Sequence, residues 1–150
     1  MRSFEQTRRQ TWQAPWMDEG EEHERGLARF LVGEWRARFR ESLAPAKRRD
    51  TLRSQLPHLT HLDPRFATPT HESGRVLAAQ LREKGAEDHC YLLSEDPDLD
   101  GRELPLDEAL AAIADSGSPH ATFISCVPGK LAYFHGKESG DRYLLELPTK

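Results

Sequence analysis

Asp96, Asp98, Asp100 and Gly101 spell D-x-D-x-D-G, and Asp107 stands at the twelfth position of the same stretch. Alternating acids let several oxygens converge on one hard cation, and the glycine permits a sharp bend. The pattern is the opening of a helix-loop-helix calcium loop. The remainder departs from it. Glu103 takes the eighth position, where an apolar residue normally packs, Pro105 takes the tenth, and the segment before the loop has a strand pattern. The favoured reading is a solvated acidic turn running into a helix whose dipole Asp107 and Glu108 complement. Asp96, Asp98 and Asp100 are the candidate cation ligands, but no metal or other cofactor is expected.

His58 and His61, spaced H-x-x-H, lie near Asp63 and His71 and have the donor types of a metal site. No C-x-x-C or H-E-x-x-H accompanies them, so they read as polar loop residues beside proline turns. Nucleophilic catalysis needs a thiol or hydroxyl within reach of a base. Cys90 and Cys126 both fall inside apolar strand patterns, and His89 points away from Cys90 by alternation. They read as buried structural thiols in a reducing cytoplasm. Pro128-Gly129-Lys130 lacks the glycine spacing and the Ser/Thr of a phosphate loop. Enzyme activity finds no support, and a small hydrolase using Cys126 or a loop histidine remains an alternative.

Arginines form the remaining constellation. Guanidinium groups suit carboxylate and phosphate alike, because their donor fork is planar and always charged. On a helical wheel Arg25, Arg29, Arg36 and Arg40 fall within a stripe of about 60°, a line roughly 22 Å long at ~1.5 Å per residue. Lys47, Arg48, Arg49 and Arg53 continue the basic run. Arg25, Arg29, Arg36, Arg40, Arg48 and Arg49 are the candidate partner-binding residues. A pI near 6.0 lies far from the basic range of nucleic-acid modules, and Glu34 and Glu41 interrupt the surface. A protein partner is therefore favoured over nucleic acid bound on the basic helices of residues 25–53. An ordinary solvated helix flank is the plain alternative to both.

The charge is divided unevenly along the chain. Residues 1–85 carry 16 Lys and Arg against 12 Asp and Glu, and residues 86–150 carry 5 against 13. The halves are thus +4 and −8. Such a chain either offers a positive face to something or holds two oppositely charged layers against each other. A second copy would satisfy the first option, since one chain supplies both signs and dimers are the commonest assembly. Homodimerisation is the favoured version.

The elements that must carry these groups follow from periodicity. Residues 1–22 show no sustained period and read as a mobile or docked N-terminal arm with Trp12 and Trp16 as apolar anchors. Residues 23–150 read as a single domain, helical over 23–85 and strand-rich over 86–150. Leu27, Leu31, Trp35 and Phe39 recur at i+4, which predicts one helix over residues 23–43. A second helix ends at Pro57, residues 57–70 form an ordered loop, and a third helix covers 71–84 before Gly85. Strands follow at 89–94 and 102–104, then a helix from 107 to about 116. Residues 121–127 and 130–135 flank Pro128-Gly129 as a β-hairpin. A two-residue turn pairs Cys126 with Leu131, Ile124 with Tyr133 and Thr122 with His135. Both hairpin faces are apolar, which predicts cover on both sides, and 142–147 is the last strand.

The expected class is α+β, with N-terminal helices on a mostly antiparallel C-terminal sheet and one inserted helix, in the order α-α-α-β-β-α-β-β-β. No apolar run approaches the ~20 residues that span a bilayer. The first ten residues lack the apolar core of a secretory signal. The absence of Asn, the two Ile, and 16 Arg against 5 Lys point to a GC-rich, bacterial coding sequence. Together these predict a non-catalytic cytoplasmic binding or regulatory module that acts through protein–protein contacts and self-associates.

Overall fold

A computed structural model of the chain describes residues 19–43, 46–55, 62–115, 121–136 and 142–147. Its elements are α1 (Glu19–Leu27), a 3-10 turn (Ala28–Phe30), α2 (Gly33–Glu41), α3 (Ala46–Gln55), β1 (Ala67–Pro69), α4 (Gly74–Glu83), β2 (His89–Ser94), β3 (Glu103–Pro105), α5 (Leu106–Asp115), β4 (Thr122–Val127), β5 (Leu131–His135) and β6 (Arg142–Glu146). The strands form one antiparallel sheet in the order β1-β6-β5-β4-β2-β3. The fold is α+β, as the periodicities predict.

Alternation along the central strands sorts the core into two layers. Cys90, Leu92, Ile124, Cys126 and Tyr133 face α4 and α5, where Leu77, Leu81, Leu106 and Leu110 meet them. Leu93, Phe123, Phe134 and Leu145 face the N-terminal helices and pack on Leu27, Phe30, Phe39 and Leu43. The rings of Phe123 and Phe134 lie 4.8 Å apart, and both are buried. The hairpin is therefore the covered centre of the molecule.

Three details differ from the sequence reading. The hairpin pairs Thr122 with His135 and Ile124 with Tyr133 as expected, but Leu131 pairs with Val127 rather than Cys126. Pro128 and Gly129 occupy a turn closed by the Lys130 amide on the Val127 carbonyl at 2.9 Å, with Gly129 at φ 71°. Lys130 thus stays in the loop, and Cys126 becomes the extra residue of a β-bulge. Second, β1 lies inside the stretch read as a loop. Its three residues pair with β6, an edge reached only by a chain from the other half.

Third, the single helix over 23–43 is broken. Leu31 (φ −98°, ψ 156°) and Val32 (φ −61°, ψ 152°) are extended, Leu31 bridges Leu62, and α2 starts at Gly33. Glu19–Glu22, read as the end of the arm, begin α1. Trp12 and Trp16 lie outside the described residues.

Candidate functional site

The break between α1 and α2 turns two helix ends toward the β2–β3 turn, and α3 lies beside them. Arg49 of α3 sits at their junction. Its Nη1 and Nη2 donate to Glu24 Oε1 and Oε2 at 2.8 and 2.7 Å. Its Nε and Nη2 donate to Asp100 Oδ2 and Oδ1 at 3.2 Å each, and Nη1 also reaches the Leu43 carbonyl at 3.1 Å. One guanidinium therefore ties α3 to α1, to the end of α2 and to the β2–β3 turn. Burial alone would lower its pKa, but the Glu24 hydrogen bond and the charges of Glu24 and Asp100 hold it above its ordinary value.

One turn on, Arg53 donates to the Ser94 and Glu95 carbonyls at 2.9 and 3.0 Å and lies 3.4 Å from Asp100. Glu24 is only 6% exposed and accepts a short hydrogen bond from the Tyr91 hydroxyl. Burial first, and Glu24 second, push the Tyr91 pKa up, so that hydroxyl keeps its proton. His23 stacks on the Tyr91 ring at 5.8 Å, and its Nδ1 lies 2.7 Å from the Ser125 Oγ.

Over this network lies an open cleft of about 520 Å³ lined by Glu24, Arg25, Arg40, Arg49, Tyr91 and Asp100, together with Glu21, Leu43 and Gly101. Its lining carries three arginines and three carboxylates. The floor carboxylates, Glu24 and Asp100, are already matched by Arg49 and Arg53. The side chains of Arg25 and Arg40, exposed in the last turns of α1 and α2, have no hydrogen bond or ion pair among the described residues. Both complement the negative end of their own helix, and both present unspent donors to the same cleft.

The predicted arginine line is thereby dismantled. Arg25 and Arg40 meet at the cleft although the chain between them is not one helix. Arg29 lies along Gly129. Arg36 Nε donates to the Leu31 carbonyl at 3.1 Å and braces the break. Arg49 is engaged internally, and the Arg48 side chain lies outside the described residues. The two charge signs hold the halves of the molecule together: Arg49 and Arg53 with Asp100, Arg82 with Asp107 at 3.1 Å, and Lys84 with Glu146 at 2.9 Å.

The acidic turn is organised by its own backbone. Asp96 Oδ1 accepts the Asp98 amide at 2.9 Å, and Asp100 Oδ1 accepts the Ser94 amide at 3.0 Å in addition to its arginines. Asp100 is thus an ion-pair partner of α3. Among the described residues no group of three or more His, Cys, Asp or Glu is placed to hold a metal ion. His58 and His61 lie outside those residues. Asp63 pairs with Arg65 at 2.7 Å, and His71 is exposed.

Cys90 and Cys126 are buried and free. Burial, with a smaller effect of Glu103, pushes the Cys90 thiol up to about 12, and burial pushes Cys126 up further. Neither is a thiolate at neutral pH. Sequence reasoning missed the Ser125–His23 contact, whose partners are 102 residues apart. Ser125 is 1% exposed, so its hydroxyl joins α1 to the sheet and is closed to a substrate. Among the described residues no helix is long and apolar enough to cross a membrane. The chain matches no family model, no curated protein and no solved structure.

Proposed function

We propose that this chain is a non-catalytic, self-associating cytoplasmic module that acts through protein–protein contacts and docks an acidic surface in the Arg25–Arg40 cleft. The observation that carries this reading is that one cleft is lined by two guanidinium groups, from separate elements, without partners among the described residues, beside Glu24 and Asp100, which are already matched. With Glu24 and Asp100 matched by Arg49 and Arg53, Arg25 and Arg40 outnumber Glu21, so the complementary group is a carboxylate-rich surface. Leu43 and the Tyr91 ring add apolar area beside it.

A second copy is the favoured occupant. Asp88 and Glu108 are exposed just before β2 and at the N-terminus of α5, whereas the cleft adjoins the turn at the far end of β2. If each of two copies places its acidic edge at the other's cleft, the assembly closes with twofold symmetry. Two free, buried thiols suit the reducing cytoplasm.

Calorimetric titration with an oligo-glutamate peptide at low salt tests the reading. Saturable heat in the native protein, lost in Arg25→Glu/Arg40→Glu, is expected. An oligo-thymidylate that binds the same arginines while the peptide does not would replace it with a nucleic-acid interface.

A further inference from the structure

We propose that α3 is an electrostatic latch on the cleft, fastened by Arg49 and Arg53, and that its release abolishes docking of an acidic partner. The bearing on docking rests on the cleft being the partner's seat. The latch itself rests on how α3 is held.

Its sequence, AKRRDTLRSQ, has no apolar face: Ala46 and Leu52 are its only apolar residues, and Leu52 is half-buried at the rim of the N-terminal core layer. With Leu52 as its one apolar contact the helix has little hydrophobic hold on the protein surface, and ten residues make a marginal helix in water. Lys47 stands at the positive end of its dipole with no acid in the first turn. Among the described residues its attachment therefore falls mainly to the two arginines. Arg49 grips Glu24 and Asp100, and Arg53 grips Asp100 and the Ser94 and Glu95 carbonyls.

Release strips positive charge from the cleft. With α3 in place the lining holds three arginines against Glu21, Glu24 and Asp100. Without Arg49 it holds two arginines against the same three acids, and neither Glu24 nor Asp100 is neutralised. Tyr91 still donates to Glu24 and the Ser94 amide to Asp100, so both carboxylates stay where an acidic partner would meet them. Such a partner binds the latched form and, by reciprocity, holds α3 down.

Hydrogen exchange on the full chain, in native protein and Arg53→Gln, tests this. Arg53 does not line the cleft but neutralises Asp100, which does, so the exchange of α3, and not peptide affinity alone, reports the latch. Exchange of the amides of residues 46–55 is expected to rise roughly tenfold or more in Arg53→Gln, the equivalent of the charge-assisted bonds removed, while β2 and β4 amides keep their rates. In native protein the same amides speed up between ~0.1 and ~1 M salt, as the screening length falls from ~10 to ~3 Å. That salt arm stands alone if the variant fails to fold. Exchange of α3 at the rate of β4, or a rise shared with β4, overturns the latch. Oligo-glutamate is expected to bind Arg53→Gln at least about tenfold more weakly than native protein. Equal affinity overturns the control of docking and leaves the docking site intact. Absence of peptide binding to native protein removes the docking site and with it the proposed gating, while the exchange result still decides whether α3 is detachable.

Discussion

Gly26 and Gly129 meet backbone to backbone: a Cβ on Gly26 would stand 2.4 Å from the Gly129 nitrogen and 2.9 Å from its Cα. Backbone cannot swing aside as a long side chain can, so α1 would have to lift from the β4–β5 turn. Gly129 cannot readily retreat, because its φ of 71° is the left-handed position that the turn requires. Gly26→Ala is therefore expected to destabilise the fold by about 1–3 kcal/mol, although alanine favours helix. Urea unfolding measures this, and a variant as stable as the native protein would show that the two segments are not in contact.

The buried thiols separate a binding module from a cysteine hydrolase. Cys126 is 1% exposed and held far from thiolate form by burial. Both cysteines are expected to resist a disulfide reagent in native buffer and to react at once in denaturant. Rapid native labelling of Cys126 would reopen the catalytic alternative.

His135 supplies a pH dependence of defined sign. Burial, and then the positive charge of Arg142, lower its pKa below 6.5. The Tyr133 hydroxyl lies 3.1 Å from its Nδ1, a bond that suits the neutral ring with that nitrogen as acceptor. The unfolded chain then takes up this proton first as pH falls. The contribution of His135 is whole above the unfolded value of about 6.5 and is lost as pH drops from there to the folded value. Comparing stability at about pH 8 and about pH 5, His135→Gln is expected to lose less on acidification than the native protein. An equal or larger loss would contradict the assignment.

The strand-rich half was the more legible because its signals are local. Alternation placed Phe123 with Phe134, and the Pro128-Gly129 turn marked the hairpin. Only the length of the loop, and so the bulge at Cys126, escaped. β1 could not be read from its three residues, since its partner strand lies more than 70 positions away. The break at Leu31–Val32 was hidden by the unbroken i+4 repeat of Leu27, Leu31, Trp35 and Phe39, which an extended Leu31 preserves by burying itself against the core. Gly33 was the available clue. Charge counting found the basic residues but not their use. It assigned Arg49 to an outside partner because Glu24 and Asp100, 25 and 51 positions away, become its neighbours only on folding. The meeting of Arg25 and Arg40 at one cleft likewise depends on that unread break.

Self-association through the cleft is tested most directly by sedimentation velocity of the native protein and of Arg25→Glu/Arg40→Glu, each over a protein concentration series at ~0.1 and ~1 M salt. A concentration-dependent shift toward dimer is expected for the native protein at low salt. That shift should weaken at high salt and vanish in the double variant, whose unfolding midpoint should stay close to native because both side chains are exposed and have no partner among the described residues. A native protein that sediments as a monomer at every salt and concentration, or a double variant that dimerises as the native protein does, would contradict it.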